Sequence, residues 1–216
     1  MKLKLKSLLL LIIATLLFIV SCGKDDNPTT PPDKQNTTGT FTDSRDNQTY
    51  SWVKIGDQVW MSENLAYKTK SGEYWAYNND TNNVPIYGYL YSWEIAQTIA
   101  PQGWHLPSQA EWQTLVDYLG GSQKAYDKLL EAKTLHWKSP NSATNESGFT
   151  ALPSGYFDKR DNSFNSLGEL TMFHSTTESP GSSTVAIGLI LNSNYKVSNI
   201  EGRPKMLTLP IRCIKD

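Results

Sequence analysis

The sequence predicts an α+β domain over residues 41–216, carried behind an exported, tethered N-terminus. Three observations lead there. Two helical patterns fall before residue 120. From Lys138 onward, short runs rich in β-branched and aromatic residues alternate with turn clusters. Residues 27–40 hold no large apolar side chain, so the folded part is expected to begin near Phe41.

Residues 1–21 read as a lipoprotein signal peptide. Lys2, Lys4 and Lys6 form a basic start, and the thirteen residues Leu8–Val20 contain only Thr15 as a polar interruption. That run has signal-peptide length and is short for a membrane span. Ser21 directly before Cys22, behind Ile19 and Val20, resembles a bacterial lipobox. The resemblance implies cleavage before Cys22 and acylation of its sulfur and new amino group. Two or three acyl chains hold a protein firmly where one holds it marginally. Gly23, Lys24, Asp25 and Asp26 follow, similar to the surface-export signal of bacteroidete lipoproteins; a charged linker start is the plainer reading. The expected location is the outer membrane, lipid-anchored and facing the cell surface. Residues 22–40 read as the lipidated terminus and a flexible tether, partly extended at Pro28, Pro31 and Pro32.

Within the domain, Tyr50–Ile55 and Gln58–Met61 flank Gly56-Asp57, a hairpin whose glycine supplies the positive φ of a II′ turn. Residues 71–88 form a long polar and aromatic loop. A short helix is expected in "YLYSWEIAQTIAP", stopped before Pro101, and a second over Gln109–Leu119. The second has a capping box, Ser108-x-x-Glu111. Its apolar face is Trp112, Leu115, Val116 and Leu119, and Gly120-Gly121 ends it. Strands are expected at Met172–Ser175, Val185–Leu191, Tyr195–Ser198 and Met206–Ile214. In the last of these, alternation puts Leu209, Ile211 and Cys213 on a core face and Thr208, Pro210, Arg212 and Ile214 on the other.

Chemistry-bearing motifs are absent. His105, Ser108 and Glu111 lie within seven positions, yet a serine nucleophile needs a histidine in hydrogen-bond reach and a third orienting group. The capping box already explains Ser108 and Glu111. His136 and His174 stand alone in sequence. No zinc-protease, nucleophile-elbow or phosphate-loop pattern occurs. The expectation is no catalytic residue, no metal and no cofactor. Removing residues 1–21 takes away three of the 20 basic and none of the 21 acidic residues, leaving a net charge of −4. That gives no basic surface for nucleic acid. With Cys22 lipidated, Cys213 has no partner for a disulfide.

Several blocks resemble, in order, one family. They are "FTDSRDNQTYSWVKIGDQVWMSENLAY", "YGYLYSWEIAQTIAPQGWHLPSQAEWQTL", "GFTALPSGY", "FHSTTE" and "IRCIKD". The chain is similar over about residues 41–216 to the Fibrobacter succinogenes major paralogous domain. The resemblance implies an irregular C-type lectin-like, formylglycine-generating-enzyme-like fold with two helices and a small twisted antiparallel sheet. It supplies no catalytic residues. Many relatives carry cysteines where this chain has Ala100, and a pair where Ala76 and Val84 stand, so Cys213 lacks the partner the resemblance implies, which Ala100 replaces. Formylglycine chemistry needs a pair of copper-holding cysteines, and the domain keeps one.

The expected function is therefore a non-enzymatic binding domain of the cell envelope, for a glycan, a peptide or an envelope protein. An unrecognised hydrolase-type or formylglycine-generating-like enzyme and a purely structural subunit of a surface assembly are the alternatives. Tyr74, Trp75 and Tyr77 beside Asn78 and Asp80 form a candidate sugar platform, since aromatic faces stack on sugar rings and amides bond hydroxyls. The plainer reading is core aromatics and Asn-Asp turns. Calcium at Asp80 is not indicated. Partners are thus the membrane, through the lipid, and a glycan or envelope protein, with no nucleic acid. Cys22→Ala should abolish incorporation of labelled palmitate and release the protein from the membrane fraction; continued labelling would remove the lipoprotein assignment.

Overall fold

A computed structural model of the chain describes residues 37–138 and 140–216. The expectations for the signal peptide, for Cys22, Lys24, Asp25 and Asp26, and for the tether up to residue 36 concern residues outside the described ones. Among the described residues, no helix is long and apolar enough to cross a membrane.

Three sheets organise the chain. The first contains β1 (Thr38–Thr42), β2 (Thr49–Ile55), β3 (Gln58–Met61), β6 (Trp104–His105) and β13 (Ile214–Lys215), in the order β1-β2-β3-β13-β6, all antiparallel. A two-stranded ribbon pairs β4 (Tyr74–Trp75) with β5 (Leu90–Tyr91). The third sheet runs β11 (Val197–Pro204), β10 (Val185–Asn192), β9 (Leu170–Glu178), β7 (Ser154–Asp158), β12 (Leu207–Thr208), with β8 (Ser163–Leu167) also on β7. Its one parallel junction is β7 with β9. The helices are α1 (Val84–Tyr87), α2 (Trp93–Ala96), α3 (Gln109–Tyr118) and α4 (Ser122–Leu129).

The α+β expectation, with two helices and one small twisted antiparallel sheet, is corrected. The described residues are mostly β, 36% strand against 18% helix, with a six-stranded sheet and four helices of which two have only four residues. The strand expected at Tyr195–Ser198 lies later and is longer, as β11 (VSNIEGRP), and the unexpected β8 (SFNSL) carries few apolar residues. Pairing to β7 and β10 makes them strands, and neighbours override weak local propensity in a sheet. The turn at residues 159–162 is the tip of the β7–β8 hairpin. Helix α4 was hidden because its N-cap is Gly121, which offers no side-chain cap. Its signal was the Ala125, Tyr126 and Leu129 face, which is buried.

Other expectations hold. In the β2–β3 hairpin Ile55 pairs with Gln58 around Gly56, whose φ is +61°. Helix α3 starts at Gln109 with both halves of its capping box present, and all four residues of its apolar face are buried. β1 begins at Thr38, three residues ahead of Phe41.

The expected strand Met206–Ile214 is corrected to a broken one. Only its ends are regular, as β12 and β13, because Pro210 has no N–H for the ladder. Between them the backbone bonds in turn to Tyr91, Leu65 and Met61. Both of its faces are covered: Thr208, Arg212 and Ile214 are as buried as Leu209, Ile211 and Cys213.

Two apolar clusters follow from the alternation of β2 and β3. Val53, Ile55 and Trp60 join α3, α4 and the inner face of β9–β10 through Trp112, Leu115, Leu129, Phe173 and Leu189. Tyr50 and Met61, on the opposite face, join Leu65, Tyr91, Trp104, Ile211 and Cys213. Ala100 packs against this second cluster, which also holds Cys213. Burial pushes the Cys213 thiol up to about 12, as expected of a small core hydrophobe.

Arg212 sits at the heart of this arrangement, 1% exposed. Nε and Nη2 donate to Asn64 Oδ1 at 3.1 and 2.9 Å. Nη1 donates to the carbonyls of Met61 (3.0 Å) and Phe149 (2.5 Å), and Nη2 also to Thr150 O at 3.3 Å. The guanidinium lies over the Phe149 ring at 4.4 Å. No carboxylate pairs with it among the described residues, and burial lowers its pKa to about 9. Arg212→Met should leave Asn64 Oδ1 and three carbonyls buried without donors, costing about 3 kcal/mol or more. Urea unfolding measures this; a loss under about 1 kcal/mol would show that the arginine is dispensable to the fold.

Candidate functional site

The principal cleft has a volume of about 510 Å³, within the range of small-molecule sites. One wall is the hairpin and the irregular chain that leaves it: Gln48, Tyr50, Ser62, Glu63 and Asn64. A second is α1, presenting Val84, Pro85 and Ile86. Glu131 and His136 form the third, and Thr150 and Arg212 lie at the floor. Gly88 ends α1 with φ +72°, and a Cβ there would meet Leu65 O at 2.6 Å. A glycine is therefore what lets α1 lie against residues 64 and 65.

Local structure fixes the third wall. Leu130 bridges to Ala151, Glu131 N donates to Ala151 O at 3.1 Å, and the buried Trp137 indole donates to the same carbonyl at 2.9 Å. Between these anchors His136 Nδ1 meets both carboxylate oxygens of Glu131, at 2.8 and 3.0 Å. The Tyr87 ring stands edge-on to the imidazole at 5.7 Å. In the neutral imidazole, a carboxylate at Nδ1 fixes the proton there and leaves Nε2 as an acceptor. No described residue bonds to that Nε2. The sequence reading left His136 isolated; the missed signal was Glu131, five residues earlier in a loop.

The candidate sugar platform is divided. Successive positions on β4 face opposite ways, so Tyr74 packs edge-on to Tyr89 at 5.1 Å while Trp75 stacks on Phe157 at 4.6 Å. Tyr77 is buried and tilted against Phe164 at 5.2 Å. Tyr74 belongs to the cluster around Tyr91, Trp75 and Tyr77 to one around Phe157. Asn78 and Asp80 are exposed; Asn78 takes φ 55°, and Asp80 Oδ1 accepts from Asn82 N at 2.9 Å. Among the described residues no three of His, Cys, Asp and Glu gather where they could hold a metal ion.

The histidine of the capping-box segment is built into a network. Ser108 Oγ donates to Glu111 Oε2 at 2.8 Å, and His105 Nε2 meets Glu111 Oε1 at 2.8 Å. His105 Nδ1 meets Asp216 Oδ1 at 2.7 Å, a partner no local reading could supply. The glutamate thus stands between serine and histidine, and no hydrogen bond joins His105 to Ser108 Oγ. His174 is buried; its Nε2 donates to Tyr91 O at 2.9 Å and burial lowers its pKa to about 4.

Residues 53–215 match the family model of the Fibrobacter succinogenes major domain. The chain belongs to that family. No curated protein and no solved structure gives a significant match. The Fibrobacter succinogenes major domain match runs from β2 to β13 and contains every lining residue of the cleft named above except Gln48 and Tyr50.

The His105 network makes stability depend on pH. Burial alone would lower the His105 pKa, but its bonds to Glu111 and Asp216 hold it above the usual 6.5. Burial would raise Glu111, but its bonds to the Ser108 backbone, His105 and the Ser108 hydroxyl hold it below the usual 4.5. The histidine contribution is therefore complete below 6.5 and disappears as pH rises through the folded value; that of Glu111 is complete above 4.5 and disappears as pH falls. His105→Gln should lower the melting temperature most near pH ~5.5 and least near pH ~9. An equal deficit at both would mean that His105 is not charged in this network.

Proposed function

We propose that this protein is a lipid-anchored component of the cell envelope, exposed at the outer-membrane surface, whose domain binds a ligand in the cleft between the hairpin, α1 and the Glu131–His136 loop. The domain acts by binding and not by catalysis. The observation that carries the reading is His136: its Nδ1 is fixed by Glu131 at 2.8 Å, and its Nε2 has no described partner in a lined cavity of about 510 Å³. A polar group held in one orientation beside an apolar wall is how binding sites fix a small ligand. A histidine and its carboxylate without a placed nucleophile do not make a covalent catalyst. Anchoring is supported by the apolar run Leu8–Val20 and the Ser21-Cys22 junction, and surface exposure by Lys24, Asp25 and Asp26. Glycans, peptides and envelope proteins are the ligand sources such a position offers.

The test is saturation-transfer NMR of the full chain in detergent against a panel of glycans and short peptides, beside a Ser62→Trp variant that fills the cleft. A ligand bound by the wild type and lost in the variant, at equal melting temperature, is expected. Ligands retained by the filled variant would move binding elsewhere, the aromatic segment of Tyr74, Trp75 and Tyr77 being the next place to look.

A further inference from the structure

We infer that the cleft selects a protonated amine with a short hydrocarbon stem, the ammonium engaging the Glu63 carboxylate and His136 Nε2 and the stem lying on α1; this rests on the cleft being the binding site. The argument is a count of hydrogen-bonding groups. Arg212 is the one fixed cation in the lining, and a guanidinium has five N–H donors. All five are spent on Asn64 Oδ1 and the carbonyls of Met61, Phe149 and Thr150. Asn64 is spent as well: its amide donates to Tyr87 O and Ser154 Oγ. An anionic ligand would find no free donor on either.

What remains is mainly accepting. Glu63 uses Oε1 for the Ser51 N–H at 3.0 Å, and Oε2 has no described partner. His136 Nε2 is an acceptor for the reason given above. Tyr50 accepts from Ala66 N at 3.0 Å and keeps its own proton without a described acceptor, and Ser62 Oγ is unpartnered among the described residues. Formal charge points the same way. Among the lining side chains with a fixed charge, the single cation Arg212 faces two carboxylates, Glu63 and Glu131. An ammonium brings three donors and no acceptor and supplies the missing charge. Val84, Pro85 and the half-exposed Ile86 give an apolar surface for methylenes.

The chemistry comes from two sources, a free alkyl amine or a lysine side chain of a peptide. The experiment titrates the full chain in detergent with n-pentylamine, Nα-acetyl-lysine amide, pentanoate and glucose, following binding by calorimetry. The amines should bind at least about tenfold more tightly than pentanoate, and added salt should weaken them. Tighter binding of the lysine derivative identifies a peptide source; tighter binding of pentylamine identifies a free amine. Glu63→Gln keeps the shape and removes the charge, and should weaken the amines about tenfold. His136→Gln tests the second acceptor at a different position. Pentanoate or glucose binding in preference to the amines, lost in Ser62→Trp, would overturn the amine assignment and leave the cleft as the site. Amine binding unchanged in both Glu63→Gln and His136→Gln would overturn it too, as would no binding of any of the four. The cleft itself is judged separately by the glycan and peptide panel.

Discussion

A buried guanidinium that no described carboxylate pairs with is the constraint on which the rest of the structure depends. Placing Arg212 at 1% exposure removes a cation from water, which is tolerable only when every donor is met. The acceptors come from residues 61, 64, 149 and 150, and Asn64 passes the link on to Tyr87 and Ser154. Three stretches remote in sequence, residues 61–64, 87 and 149–154, are thereby fixed to one planar fork. The fork's face rests on Phe149, which packs edge-on to Trp60 and Phe173. The polar hub and the aromatic core hold each other in place: rings exclude water from the hydrogen bonds, and the bonds set where the rings stand.

The cleft is a consequence of that hub. Asn64, Tyr87 and Thr150 are tied to Arg212 or to its partner, and the walls of the cleft are built from the same stretches of chain. A cavity between irregular segments would close if those segments were free to collapse. Here each is held by directional bonds, and Gly88 permits the closest approach. The Glu131–His136 pair sits on a loop pinned at both ends to Ala151. Arg212, Asn64 and the Glu131–His136 pair are consequently placed by the fold, while Glu63, Pro85 and Ile86 are exposed.

Burial assigns different roles to residues of the same type. His174 is enclosed and kept neutral as a donor to a carbonyl, His105 is clamped by two carboxylates near the surface, and His136 has one nitrogen fixed and one unpartnered among the described residues. Tryptophans divide likewise: Trp60 and Trp112 stack at 4.5 Å within the core, while Trp75 covers Phe157. Residue type alone carries no role here; the partners do.

The sequence by itself determined what depends on neighbours a few residues away. The β2–β3 hairpin follows from alternation and from one glycine at the turn, and α3 from a capping box four residues long and an apolar face. Family membership was legible because several blocks keep their order. The mostly β architecture was not, since β8 and the greater part of β11 become strands only through their partners. Nor was the cleft. Asn64 and Arg212 are 148 residues apart and His105 and Asp216 are 111 apart, so no local pattern could pair them. Alternation placed Cys213 inside correctly, yet it put Arg212 on the face opposite the core one. Only the tertiary structure, by covering both sides of the last segment, decided that the arginine would be buried and what would surround it.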